Sequence, residues 1–320
     1  MLTDASGRAP FFPGCSKSHQ ICSRYWIVGL AALLCALATT THAQTRASCT
    51  FTSFPIVLNR PNNITATLHA NGVNDFRSVV GGANFTDAFG DSLNSPAFIR
   101  WAGGGITYLD NLLLVDRNDS GVSIGYQGSF PVKLTGTIAT PIVLDIGQNK
   151  YTIFFIQGIN NWGSIVGSYT DSAGVTHGFK RWSNGSVVTF DYPGAWLTSP
   201  ARINDNGTIV GYYVGAQSSL HGFVYHNGHF AKLDYPNAAA TVLNGISNSG
   251  VIVGTAIVNG ATTDTAFIYE NGAFKVISLP NQGAGTSNSV AGISLRLGFI
   301  LGLASSAAII PPDGFIATCK

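Results

Sequence analysis

A ten-residue phrase recurs along this chain and restricts the fold more than any other feature. It reads GINNWGSIVG at residues 158–167, RINDNGTIVG at 202–211 and GISNSGVIVG at 245–254. Asn and Gly supply the left-handed backbone angles of a tight turn. The Ile-Val pair that follows is β-branched and fits a pleated, half-buried surface. The phrase therefore reads as a turn between two strands.

The phrase opens a longer unit. In the clearest copy the marks are Asn204-Asp205-Asn206-Gly207, His221-Gly222-Phe223, Asn227-Gly228 and Leu233-Asp234-Tyr235-Pro236. The preceding copy repeats them from Asn160 to Pro193, and the following one from Ser247 to Pro280. Upstream, GVNDFRSVVG (72–81) matches the opening phrase, AFIRWAGGGITYLD (97–110) matches GFKRWSNGSVVTFD (178–191), and a further copy starts at Asn118. Downstream, GISLRLGFILG (292–302) fits with one inserted residue. The anchors Asn74, Asn118, Asn160, Asn204, Ser247 and Ser294 recur every 42 to 47 residues.

A period of about 43 is that of a propeller blade, and four strands of about six residues with short connections fill it. Each sheet has two apolar faces and must stack on neighbours, so a closed ring is the natural solution. An open solenoid needs polar capping repeats that the chain lacks. The expected fold is all-β: a six-bladed β-propeller of four-stranded antiparallel blades. Scarce charge (10%) and 38 glycines accord with many strands and turns. The last copy stops short of its final strand, and PIVLNRPNN (55–63) resembles the final strand FAKLDYPNA (230–238). The last blade is thus completed by both termini. Cys49 and Cys319 then flank the junction, and a disulfide between them is expected.

The N-terminus reads as an export signal. Arg24 precedes an apolar run, Ile27 to Ala38, and Thr41-His42-Ala43 is a small-x-small cleavage site. The run is about half the roughly 20 residues of a membrane span, and Leu34 before Cys35 does not fit a lipidation site. The organisation is a signal peptide over 1–43 and a single propeller domain over 44–320, secreted, periplasmic or at the cell surface. A membrane helix over residues 289–310 has the length and low charge, but Arg296, the glycines and the match to the repeat phrase oppose it.

The phrases I-N-x-x-G-x-I-V-G and H-G-F, with the following Asp-Tyr-Pro corner, resemble the HAF-type extracellular repeat proteins of bacteria. The match is good over residues 158–282 and keeps the name-giving triplet at His177-Gly178-Phe179 and His221-Gly222-Phe223. Ala97-Phe98 and Ala266-Phe267 lose the His. The resemblance implies export and a repeat-built β architecture, and no activity.

Chemistry is sparse. The net charge of +2 comes without a Lys/Arg stripe, which excludes nucleic acid. Glu270 is the one glutamate, a poor start for the carboxylate pair of a retaining glycosidase. No His-Glu-x-x-His or Walker motif occurs. Asn204-Asp205-Asn206-Gly207 looks like a calcium loop without its later ligands, and Asp110, Asp145, Asp191 and Asp234 are expected to cap their own turns. His226 and His229 should face each other across a hairpin. Catalytic residues, metal and cofactor are not expected. Trp101 and Trp182 share a repeat position and read as packing. Trp162, in a turn, and Trp196, in a connecting loop, have no repeat role and are the candidate ligand-binding residues.

The expected function is that of a non-enzymatic binding or surface-interaction module, a monomer without stable membrane insertion once the signal is removed. Its ligand is a carbohydrate, a cell-envelope polymer or another protein. One alternative is a polysaccharide hydrolase or lyase with its site at the mouth of the central channel; the other is a structural envelope protein without a discrete ligand. Two or more acids at that mouth, unpaired with turn backbone, would favour the enzyme. An exposed Trp162 or Trp196 would favour binding.

Overall fold

The first five copies of the repeat each fold into an antiparallel meander of four strands, and the last supplies three strands of one that a fourth strand completes. The computed structural model describes residues 45–319 apart from 56, 61–63, 87–91, 95, 148–150, 261–263, 279–286 and 307–308. The expected signal peptide, 1–43, lies outside the described residues. The copy at 197–232 is typical. Its strands are Leu197–Ile203, Ile209–Val214, Leu220–His226 and His229–Lys232, each antiparallel to the next. The Asn-Gly dipeptide turns its last hairpin, with positive φ at both Asn227 and Gly228, as that turn type requires. His226 and His229 face each other across it.

The architecture is an all-β propeller of four-stranded antiparallel blades. The innermost strands are Ile64–Val73, Leu113–Arg117, Tyr151–Ile159, Leu197–Ile203, Ala238–Ile246 and Ser287–Ile293. The strands do not form six separate sheets. Among the described residues hydrogen bonding gives five, because one parallel bridge, Thr176 to Leu197, merges the meanders at 151–190 and 197–232 into an eight-stranded sheet. Two of the five sheets are simply four-stranded. Another gains Thr45–Arg46 at its outer edge, and the first meander gains Val57–Arg60 and Ser92–Asn94.

The core lies between meanders. Val166 of one packs with Ile203, Ile209 and Phe223 of the next. Ile124 likewise joins Ile156, Ile165 and Phe179. The last and first meet in the cluster of Leu301, Ile316, Leu68, Val79 and Phe98. The buried Phe of the Gly-Phe or Ala-Phe pair recurs in most of these layers, as Phe98, Phe179, Phe223, Phe267 and Phe315.

The closing strand differs from the expected one. Cys49–Pro55 runs antiparallel to the C-terminal strand Ile309–Cys319, with Cys49 opposite Cys319 and Pro55 opposite Asp313. Val57–Arg60, within the stretch expected to close the ring, instead pairs with the innermost strand Ile64–Val73. Cys49–Pro55 thus belongs to the last meander and Val57–Arg60 to the first. The expected disulfide is present between Cys49 and Cys319, across 270 residues of sequence. In the chain-entropy model a loop of that size contributes up to about 5 kcal/mol. The apolar C-terminal stretch forms Ser287–Ile293, Ile300–Ser306 and the start of Ile309–Cys319, strands rather than a membrane helix.

Two features of the repeat phrase now have physical causes. Every innermost strand carries a bulge, and the final Gly of Ile-Val-Gly lies beside it. At Gly211 an added Cβ would stand 2.1 Å from the Ser199 carbonyl oxygen; at Gly125 it would stand 2.0 Å from that of Leu113. Only glycine tolerates that approach. The anchor Asn is more than a turn former. Asn160 is buried, its Oδ1 accepts the N–H groups of Trp162 (3.1 Å) and Ser164 (2.9 Å), and its Nδ2 donates to the Asn204 carbonyl (3.1 Å) in the next meander.

Because the buried Asn160 side chain satisfies three backbone groups at once, Asn160→Ala should destabilise by about 2–4 kcal/mol. Urea denaturation checks this. Trp101→Ala, at a half-exposed packing position, should cost less.

Candidate functional site

The anchors hand hydrogen bonds from one meander to the next around one end of the central channel. Nδ2 of Asn74 donates to the Asn118 carbonyl, that of Asn118 to Asn160, that of Asn160 to Asn204 and that of Asn204 to Ser247, at 2.9–3.3 Å. The residues after the anchors form a second circuit. The backbone N–H of Asp75 donates to the Asp119 carboxylate, that of Asp119 to the Asn161 side chain, that of Asn161 to Asp205 and that of Asp205 to Asn248. The Asn248 N–H reaches the Leu295 carbonyl. The N–H groups of Arg296 (3.0 Å) and Leu297 (2.8 Å) then donate to the Asp75 carboxylate, which closes the loop.

The side chains of this circuit form an acid–amide annulus. Asn161 Nδ2 bridges the carboxylates of Asp119 (2.8 Å) and Asp205 (3.0 Å), and Asn248 Nδ2 donates to Asp205 (2.7 Å). Burial pushes the Asp119 carboxyl up, and its hydrogen bond with Asp75 adds to this. Burial acts on Asp75 in the same sense, but the Leu297 and Arg296 amides together with Asp119 outweigh it and hold Asp75 below the usual range. The turn at Asn204–Gly207, which looks like a calcium loop without its later ligands, is one of these turns, and its Asp205 is engaged in the circuit. Among the described residues no group of three or more His, Cys, Asp or Glu side chains could hold a metal.

A charge pair bars the channel inside this annulus. Two positions before each anchor the chain has Gly72, Asp116, Gly158, Arg202, Gly245 and Gly292. The two that are not glycine meet across the axis: Arg202 Nε stands 3.6 Å from Asp116 Oδ2, with both side chains largely buried. Arg202 also donates to the carbonyls of Gln157, Ala201 and Asn71. Asp116 Oδ2 accepts the Ile159 N–H at 3.0 Å. The glycines leave the space: a Cβ on Gly72 would stand 2.7 Å from an Asp116 oxygen, and one on Gly292 3.6 Å from Arg202.

The bar divides the channel. On the annulus side a cavity of ≈ 10 Å³ remains, lined by Asn74, Asn118, Ile203 and Ile246, space for at most about one water. On the other side lies a chamber of ≈ 320 Å³. The innermost strands bulge at Asn71, Val115, Gln157, Ala201, Asn244 and Ala291. All of these line the chamber, together with Ser199, Tyr212 and Arg202. Asn71 Nδ2 donates to the Leu114 carbonyl (2.8 Å) and Asn244 Nδ2 to the Val290 carbonyl (2.8 Å), so their amide oxygens remain as acceptors.

The two candidate tryptophans lie at opposite ends of the strands. Trp162 is 67% exposed in the turn after Tyr151–Ile159, on the annulus side, with Nε1 donating to the Asp205 carbonyl. Phe76 and Leu297 are exposed at the same end. Trp196 is 47% exposed immediately before Leu197–Ile203, at the chamber end. They are not brought together and do not share a ligand. Trp101 and Trp182 sit at the meander edges beside Arg117 and Lys180.

The turn aspartates behave differently from expectation. Asp145 caps its own turn at the Gly147 N–H. Asp191 and Asp234 instead pair with the His of the His-Gly-Phe triplet, at 2.9 Å from His177 Nδ1 and 2.8 Å from His221 Nδ1. Burial acts to lower the His177 pKa, but Asp191 and Asp171 outweigh it and hold the imidazole above its ordinary value.

No family model and no curated protein matches this chain. Its fold is similar to that of several solved structures. TolB from Acinetobacter baumannii aligns over 76% of this chain and 64% of its own, at 12% identity and a TM-score of 0.48. This chain therefore spans just under two thirds of TolB. The β-propeller domain of the Trilobed protease from Pyrococcus furiosus aligns over 79% of this chain and 93% of its own, at 10% identity and a TM-score of 0.46. The Aleuria aurantia lectin in complex with alpha-methyl-L-fucoside aligns over 84% and 94%, at 11% identity and a TM-score of 0.38.

Removing one partner of the channel bar strands the other charge in a buried site. Arg202→Met should therefore cost about 3–5 kcal/mol, and the double variant Arg202→Met with Asp116→Asn should recover part of that loss. A double-mutant cycle from chemical denaturation measures the coupling.

Proposed function

We propose that the protein is an exported, six-bladed propeller that binds a hydroxyl-rich ligand, a carbohydrate or a segment of cell-envelope polymer, in the chamber end of its channel. The observation that carries the reading is the row of bulges. A bulge re-aims a side chain, and here it does so at the same level of every innermost strand. The result alternates amides and hydroxyls (Asn71, Gln157, Ser199, Tyr212, Asn244) with small apolar groups (Val115, Ala201, Val242, Ala291). Such a lining suits a sugar, whose hydroxyls need donors and acceptors and whose ring faces need apolar contact. Trp196, exposed at the same end, is placed for stacking.

In this reading each four-stranded meander is one blade, and the merged eight-stranded sheet is two. Export accords with the 270-residue disulfide, which persists in an oxidising compartment. It accords also with the resemblance to HAF-type extracellular repeats. Among the described residues no helix is long and apolar enough to cross a membrane. Binding is favoured over polysaccharide hydrolysis or lysis because Asp75, Asp119 and Asp205 at the annulus each accept a backbone N–H from a neighbouring turn.

A screen of glycans and cell-envelope polymers against the purified protein should find a ligand whose affinity falls about tenfold or more in Gln157→Ala and in Trp196→Ala. Trp162→Ala, at the far end, should bind as the parent does. Binding lost only in Trp162→Ala, or none at all, would overturn the chamber reading. Shortened product appearing during incubation would replace it with the hydrolase or lyase.

A further inference from the structure

At the chamber end, a second group of side chains stands apart from the channel. Ser219 Oγ lies 2.8 Å from His221 Nε2, and His221 Nδ1 lies 2.8 Å from Asp234 Oδ2. Asp234 Oδ1 accepts the Gly222 N–H (3.0 Å), and Lys232 Nζ stands 2.9 Å from Oδ2. Three donors thus converge on one carboxylate and fix its orientation. None of the three triad residues is fully buried.

The polarity of the chain of bonds follows from the donors available. An ionised carboxylate can only accept, so the proton of the neutral imidazole sits on Nδ1. Nε2 then carries the lone pair, and the Ser219 hydroxyl is its donor. That is the order of a nucleophile, a general base and an orienting acid.

The neighbouring blade provides a control within the same molecule. His177 occupies the equivalent place, opposite Tyr169 as His221 is opposite Tyr213. Its Nδ1 also faces an aspartate, Asp191, but its Nε2 faces Asp171 Oδ2 at 3.4 Å. Val175 stands where the later copy has Ser219. The His–Asp pair alone therefore serves the blade, and the serine is an addition to it.

We propose that Ser219, His221 and Asp234 form an acyl-transfer triad that hydrolyses carboxylic esters. Ser219 Oγ attacks the acyl carbon as its proton passes to His221 Nε2, and Asp234 stabilises the imidazolium through Nδ1–H. The bond from acyl carbon to alcohol oxygen breaks, and the departing oxygen takes the proton from Nε2. Water then attacks the acyl-serine, gives a proton to Nε2 and releases the acid, and the serine oxygen recovers its proton. The net reaction is ester plus water to acid plus alcohol. Esters fit better than amides because an alkoxide leaves with less assistance than an amine. The site is independent of the chamber reading.

The test uses the purified full chain with a fluorophosphonate probe and with p-nitrophenyl acetate. The probe should form one covalent adduct, located on Ser219 by peptide mass spectrometry. Ser219→Ala should abolish adduct and hydrolysis, and His221→Ala should slow both by about 100-fold or more. His177→Ala should leave both unchanged. No adduct on Ser219, or labelling equally fast in His221→Ala, would overturn the proposal. Should His221→Ala fail to fold, Ser219→Cys decides. Near pH 6 its thiol should be alkylated by iodoacetamide at least about tenfold faster than that of Ser218→Cys, and equal rates would count against the triad.

Discussion

The hydrogen bond from one anchor side chain to the carbonyl of the next anchor is the interaction on which this ring depends. A four-stranded sheet cannot bury both faces alone, and apolar stacking between sheets is not directional. The Asn side chain supplies direction. Its oxygen closes its own turn and its nitrogen reaches the turn ahead, so the corners at Asn74, Asn118, Asn160 and Asn204 each fix the position of the next. The circuit one residue later repeats the device and ends with the Arg296 and Leu297 amides on Asp75, 221 and 222 residues away in sequence. The disulfide and the strand Cys49–Pro55 close the outer edge of the same joint.

The same geometry makes the channel. Each innermost strand must deliver its anchor to the ring, and each bulges just before doing so. The bulge calls for glycine beside it and turns one residue toward the axis. Where the neighbouring glycine position holds Arg202 and Asp116 instead, the axis is barred. A polar chamber therefore lies on one side and a sealed annulus on the other. Binding and stability use adjacent residues of one short phrase: Gln157 lines the chamber, Gly158 gives room for the bar, and Asn160 holds the ring.

Much of the fold was legible because the repeat is both a local and a global signal. Asn-x-x-Gly, Ile-Val-Gly and Asn-Gly each name a turn or strand, and their period names the assembly. The closing strand was misplaced because Pro55–Asn63 and Cys49–Pro55 share a generic strand pattern that does not fix a partner. The cysteines held the better clue: Cys49 opposite Cys319 requires a strand beginning at Cys49. The bulges left no pattern in composition, since the residues they expose range from Ala to Gln. Arg202 did leave a signal, as the one cation where most copies begin with glycine. The role of Asp191 and Asp234 was legible in the pairing of His-Gly-Phe with Asp-Tyr-Pro, which the copy with Ala266 and Ser278 lacks on both counts.

The most direct test of the ring is amide hydrogen exchange at the turn residues. The N–H groups of Asp75, Asp119, Asn161, Asp205 and Arg296 lie in turns, where exchange is ordinarily fast. Held in a closed circuit, they should exchange as slowly as the core strands, and Asp75→Ala at the joint should speed all of them together. Fast exchange in the parent, or acceleration confined to the turns at Asp75 and Arg296, would show that no such circuit governs the fold.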